Sequence, residues 1–156
     1  MNQHLKQLLK HQCESCAIHA DRIKIAFNEM EGFLPLSLEK INILTPHELG
    51  ILELLTGRFA KLQDAIGEKI FPLILQVIGE DIKLMSFVDR LNLLEKLGYI
   101  NDAYHWFEYR KARNSISHEY PDNPKLLVQN LENVLQLSKD LLMYWNQLKK
   151  KIQKII

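Results

Sequence analysis

An arginine, an asparagine, a histidine and a tyrosine fall close together in the segment Arg110-Lys-Ala-Arg113-Asn114-Ser115-Ile116-Ser117-His118-Glu119-Tyr120. Arginine is permanently charged and offers a planar donor fork that suits a phosphate or a phosphorane-like transition state. Histidine moves a proton near neutral pH. An amide such as Asn114 hydrogen-bonds to a sugar or phosphate, or orients either neighbour. Together these groups could cleave RNA through attack of its own 2′-hydroxyl: the histidine takes the proton and the arginine stabilises the charge that develops. That route needs no metal, and no cofactor is expected.

Helix geometry sets a condition. In an unbroken helix Arg113 and His118, five residues apart, point about 140° away from each other. They converge if the helix loosens after Asn114, or if a second copy of the chain supplies the partner. Ser115 and Ser117 are weak helix formers and Pro121 disfavours helical geometry at Tyr120, so loosening is expected. A two-fold dimer would also bring two copies of the motif together, one histidine acting as base and the other as acid.

The elements that must position this segment are read as helices throughout. Six Gly and five Pro are few for 156 residues, no Asn-Gly or Asp-Gly hairpin signal occurs, and 3.6-residue periodicity runs through most of the chain. An all-α, single-domain helical bundle with long antiparallel helices over residues 1–156 is therefore expected. The first helix covers Gln3 to Met30, with Leu5, Leu8, Leu9, Ala17, Ile23, Ile25 and Phe27 as its apolar stripe and Gly32 as its C-terminal stop. A linker with Pro35 follows. Thr45-Pro46-His47-Glu48 combines a cap, a first-turn proline and a capping-box glutamate. That helix runs to about Ile78 with a kink or break near Gly67–Pro72, because Pro72 lacks an amide proton and clashes one turn back. Ser86 opens a helix presenting Phe87, Leu91, Leu94 and Leu97, and Gly98 ends it. Asn101 caps the helix carrying Trp106, Phe107 and Arg110. Asp122 or Asn123 starts the last helix, with Pro124 near its first turn and Leu127, Leu131, Val134, Leu135, Leu141, Leu142 and Trp145 on its apolar side.

Composition narrows the class. Hydrophobic residues at 47% and charged residues at 25% fit an ordinary globular protein. Twenty Lys+Arg against nineteen Asp+Glu give +1, which excludes a polycation that coats nucleic acid indiscriminately. MNQHLKQLLKHQC has no continuous apolar run, so a secretory leader is not expected. Ile70 to Ile78 falls far short of the roughly 20 residues of a membrane helix. A cytoplasmic protein without a membrane partner is expected.

The stretch Arg113, four residues, His118, one residue, Tyr120 resembles the R-x4-H-x-Y signature of the HepT-type toxins of the HEPN superfamily. Asn114 directly after the arginine is also what that superfamily favours, and the register of FVDRLNLLEKLGYINDAYHWFEYRKARNSISHEY is similar. The resemblance covers roughly Phe87 to Pro124. It implies a homodimeric, metal-independent endoribonuclease whose paired motifs form a cleft at the subunit interface. It further implies an antitoxin partner, a small nucleotidyltransferase of the MNT type that transfers AMP onto the motif tyrosine. By position Arg113 and His118 would be catalytic, Asn114 supporting, and Tyr120 the modified residue. Arg110 and Lys111, next to the motif, are the expected RNA contacts. Nucleotide phosphates on Tyr120 would fill the cleft with bulk and negative charge, opposing an RNA phosphate.

Other readings stand beside this one. The chain could be a catalytically silent, substrate-binding partner of a nucleotidyltransferase. Arg113 and His118 could instead form a helix-end ion pair with Glu108 or Glu119, and Tyr120 could be an ordinary aromatic covering the turn. Cys13-Glu-Ser-Cys16 has CxxC spacing, yet it sits mid-helix, where neither a lowered thiol pKa nor tetrahedral zinc geometry is expected. From Lys139 onward five Lys and one Asp leave +4, explained by the preference of cations for a helix C-terminus, with RNA backbone contact as the alternative. Tyr104, Trp106, Phe107 and Tyr109 at helical spacing read as core or dimer interface rather than base-stacking groups. His105 and His47 show no partner pattern and read as surface residues or cap neighbours.

Overall fold

The computed structural model describes residues 2–116 and 122–156, and these are all-α. Its helices are α1 (Asn2–Met30), α2 (Leu38–Ile43), α3 (Pro46–Ala65), α4 (Phe71–Val77), α5 (Phe87–Lys96), α6 (Ala103–Ser115) and α7 (Pro124–Ile152). A short 3₁₀ turn, Glu31–Phe33, follows α1, and a π-helical segment, Ile66–Ile70, joins α3 to α4.

The helix starts follow from side chains that satisfy exposed amides. Thr45 and Glu48 close a capping box on α3, with Pro46 in the first turn; Ser86 and Asp89 do the same for α5. Asn123 caps α7 by accepting from the amide of Leu126. Helix α6 is capped by Asp102, not by Asn101 as its sequence suggested: the Asp102 carboxylate accepts from the amide of Tyr104 at 2.8 Å. Gly98 ends α5 with φ +83, and the amides of Gly98 and Tyr99 return to Glu95 and Leu94. Gly32 does not play that role for α1. It lies inside the 3₁₀ turn, which tightens the chain without a left-handed residue.

The expected break near Gly67–Pro72 is a widened turn. Proline at 72 has no amide to give to residue 68 and its ring would strike that carbonyl. The chain answers by adding a residue to the turn: the amide of Phe71 reaches back five residues to Ile66. The helix axis continues through Val77, and the residues of this turn are re-aimed.

One core joins the helices. Leu9, Ile23 and Met30 of α1 meet Leu55, Phe59 and Leu62 of α3, Ile66, Ile70, Phe71 and Ile74 of the π segment and α4, and Leu141, Trp145 and Leu148 of α7. Helix α1 lies along α3 and also touches α4 and α7, while α6 packs between α3, α5 and α7. Leu8 and Ile25, assigned to the apolar stripe of α1, point outward, because the buried stripe follows Leu9, Cys16, Ala20, Ile23, Ala26 and Met30. On α5 the buried pair is Leu91 and Leu94, with Leu97 at the surface. The linker before α3 is pinned to α7 by the amide of Leu36, which donates to Glu132 at 2.8 Å. Among the described residues no helix is long and apolar enough to cross a membrane.

Gly67 decides how closely α6 approaches the π segment. A Cβ at 67 would lie 3.2 Å from the Trp106 Nε1 and 3.3 Å from its ring. Trp106 cannot yield, since Phe71, Tyr109 and Tyr144 surround it. Gly67→Ala is therefore expected to lower stability by about 1 kcal/mol, overpacking outweighing the gain in helix propensity. Gly57→Ala, with nothing within 4 Å of the added methyl, is expected to raise it by about 0.5–1 kcal/mol. Urea unfolding of both variants checks the sign, and stabilisation of equal size at both positions would contradict the close approach.

Candidate functional site

Arg113 and Asn114 lie in the last turn of α6, which ends at Ser115 with Ile116 as its cap. Both line a groove of about 320 Å³ with Gln63 and Asp64 from α3, Gly67 and Glu68 from the π segment, Phe87 from α5 and Arg110 from α6. Across the groove the Arg113 Nε lies 3.2 and 3.3 Å from the two Asp64 carboxylate oxygens, and Nη2 lies 3.2 Å from Oδ2. This is a bidentate pair on one edge of the guanidinium, and it leaves the Nη1 edge turned from Asp64. Hydrogen bonding and charge from Asp64 push Arg113 further toward its charged form. The pair replaces the ion pair with Glu108 that the sequence allowed, because Glu108 faces His105 instead.

Arg110 also belongs to this groove. Its guanidinium carbon stands 4.5 Å from the centroid of the Phe87 ring, and Phe87 meets Phe107 edge-on at 6.3 Å. Lys111, expected to act with Arg110 on RNA, is separated from it. One residue further round the helix, it lines another groove with Glu108, Ser115, Asn130 and Asn133 against α7. His118, Tyr120 and Glu119 lie outside the described residues. The structure thus brings together Arg110, Arg113 and Asn114, and adds Gln63, Asp64 and Phe87. Asp64 is 49 positions from Arg113 in sequence, and no local pattern marks it.

On another face of α6 a polar cluster escaped the sequence reading. His105, read as a partnerless surface residue, places Nε2 at 2.6 Å from Asp140 and Nδ1 at 3.1 Å from Glu108. The buried Tyr109 hydroxyl donates to the same Asp140 oxygen at 2.6 Å. Burial, then the bond to Asp140, raises the Tyr109 phenol well above its usual value. At Asp140 burial acts upward, but the bonds from Tyr109 and His105 prevail and hold its carboxyl below the usual value. Asp140 thus clamps α7 to two successive turns of α6. An open pocket of about 250 Å³ lies above the cluster, walled by Trp106 and Tyr144.

The remaining candidates resolve into packing. Cys16 is fully buried, and burial pushes its thiol up to about 12; burial and then Glu14 push Cys13 up to about 11. Thiols so raised are poor nucleophiles. His19 accepts from Arg58 at 3.0 Å, and burial followed by the Arg58 and Lys61 charges lowers its pKa. Trp106 and Tyr109 are core residues, whereas Tyr104 is exposed. Among the described residues no group of three or more His, Cys, Asp or Glu side chains is placed to hold a metal ion. Lys149, Lys150 and Lys151 occupy the last turn of α7, and the Lys151 ammonium donates to the Gly98 carbonyl. Comparison of the chain with protein-family models, curated proteins and solved structures finds no match.

The two carboxylates of α6's neighbours have different consequences. The Arg113–Asp64 pair is more than a third exposed on both sides, so Asp64→Ala is expected to cost less than about 1 kcal/mol. Asp140→Ala leaves the buried Tyr109 hydroxyl unpaired and is expected to cost about 1–3 kcal/mol. Because the Asp140 carboxyl is depressed, its stabilisation is complete above the ordinary aspartate range and is lost as pH falls through the lowered value. The stability gap between wild type and Asp140→Asn should therefore hold at neutral pH and close in acid. Urea melts across that pH range measure it.

Proposed function

We propose that this chain is a HepT-like toxin, a metal-independent endoribonuclease that works as a homodimer. Arg113 stabilises the negative charge on the phosphorane, His118 removes the 2′-hydroxyl proton, and Asn114 supports the phosphate or sugar. The 2′-oxygen attacks phosphorus, the bond to the 5′-oxygen breaks, and the histidine of a second copy returns a proton to that leaving oxygen. The products carry a 2′,3′-cyclic phosphate and a free 5′-hydroxyl. An MNT-type nucleotidyltransferase antitoxin silences the enzyme by adding AMP to Tyr120.

The observation that carries this reading is the position of Arg113 and Asn114. They line an open groove, and the helix that holds them stops one residue later, at Ser115. An unbroken helix would turn His118 about 140° from Arg113, and termination removes that obstacle. Asp64 supports the role by fixing one edge of the guanidinium, which orients the other toward a phosphate. The same pair favours a second reading. A carboxylate already neutralising Arg113 suits a catalytically silent subunit that presents Tyr120 to the nucleotidyltransferase.

An RNA cleavage assay with purified protein in EDTA separates the two. The toxin reading expects cleavage that survives EDTA and falls by at least about 100-fold in His118→Ala, the usual scale of a lost general base. It also expects nucleotidyltransferase with ATP to silence wild type and to leave Tyr120→Phe active. A folded, unmodified wild type that cuts none of several RNAs supports the silent partner instead.

A further inference from the structure

We propose that the Arg113 groove reads one base of a single-stranded RNA, with Gln63 as the specificity-determining residue and Arg110 as the stacking platform. The proposal deepens the ribonuclease reading and rests on it for the place of the phosphate, at Arg113.

Gln63 is the starting point. It lies in the last turn of α3, is 3% exposed, and is one of two buried polar residues among those described. The other, Ser138, donates to the Val134 carbonyl, as helix-buried serines do. The Gln63 carboxamide has no such hydrogen bond among the described residues, yet Gln63 lines the groove. A carboxamide offers two donors and an acceptor, and the polar atoms of Gln63 are not among the enclosed unpartnered ones, so they open onto the groove. Its helix is anchored in the core at Phe59 and Leu62, so the position of Gln63 at the groove wall is fixed and its carboxamide is available as a hydrogen-bonding edge.

The rest of the lining suits a base rather than a second phosphate. Asp64 and Glu68 offset Arg110 and Arg113, so the four charges sum to zero. The Arg110 guanidinium stands over the Phe87 ring, and Phe107 meets Phe87 edge-on. A guanidinium fixed on one face presents its other face for stacking, which RNA-binding sites use for unpaired bases. Gly67 places no side chain in the groove, and about 320 Å³ accommodates a base with its sugar but not a duplex.

The edge chemistry selects among bases. Asp64 and Glu68 can only accept hydrogen bonds, so the lining favours an exocyclic amino group over a keto oxygen. Gln63 supplies the complementary donor to the ring nitrogen beside that amino group. Adenine and cytosine meet both requirements and uracil meets neither.

Titration of the full-length protein with 3′-AMP, 3′-CMP, 3′-UMP and inorganic phosphate, followed by NMR or calorimetry, tests this without catalysis. The amino-bearing nucleotides should bind about tenfold more tightly than 3′-UMP. Gln63→Met should erase that preference while leaving phosphate binding and the thermal midpoint unchanged. Arg110→Ala should weaken all three nucleotides about tenfold and keep their ranking. Equal binding of the three by wild type, a ranking that survives Gln63→Met, or no nucleotide binding by the folded protein overturns the proposal. If Gln63→Met does not fold, the wild-type ranking and Arg110→Ala decide it. A preserved ranking in a protein that cuts no RNA would sink the ribonuclease reading and leave the base pocket standing.

Discussion

The approach of Trp106 to a backbone without a side chain at position 67 is the constraint on which the groove depends. Two features meet there. Pro72 forces a residue more into the turn at Ile66–Ile70, and Gly67 in that turn lets the indole lie where a methyl would intrude. With Phe71, Tyr109 and Tyr144 closing round Trp106, α6 is fixed in depth and rotation against the end of α3. Everything α6 carries at its C-terminal end inherits that placement. A local disruption of helical hydrogen bonding is thus tied to the geometry of a surface site several residues away.

Helix α6 divides its labour by face. Ala103, Trp106, Tyr109 and Ala112 point into the core at helical spacing. His105 and Tyr109 meet Asp140 on α7, and the buried hydroxyl makes that contact matter to stability. Arg110, Arg113 and Asn114 face the groove, where the ion pair is more than a third exposed and contributes little to folding. Such an arrangement lets the groove residues be set by binding or chemistry while the opposite faces hold the helix in place.

The Arg113–Asp64 pair has two sides. A bidentate contact through Nε and Nη2 removes freedom from a long side chain, so an anion meeting the other edge would cost less ordering entropy. It also offsets the positive charge of the groove, where Asp64 and Glu68 balance Arg110 and Arg113. The near-neutral composition of the whole chain, +1, agrees with that balance.

Much of the fold was legible because its signals are local. Thr45 with Glu48, Ser86 with Asp89 and Asn123 with Pro124 are capping patterns spanning one helical turn, and each stands where those residues indicated. Pro72 and Gly67 marked the break in the same way, since a missing amide is a property of one residue. The motif residues Arg113 and Asn114 were also visible, as was the end of α6 close behind them. What could not be read was which distant side chains meet them. Asp64 and Gln63 sit in an ordinary helical stretch, and Asp140 is one of two carboxylates on α7, with no local pattern that marks its partners. Their partners are chosen by the rotation of α6 against α3 and α7, which packing around Trp106 sets. The one-residue shift of the α6 cap from Asn101 to Asp102 has the same origin, because either side chain can cap and only the tertiary path of the loop selects one. Sequence determined the helices and the chemical types at the end of α6; the tertiary structure decided the company they keep, because contacts across a bundle depend on interhelical packing and not on spacing along the chain.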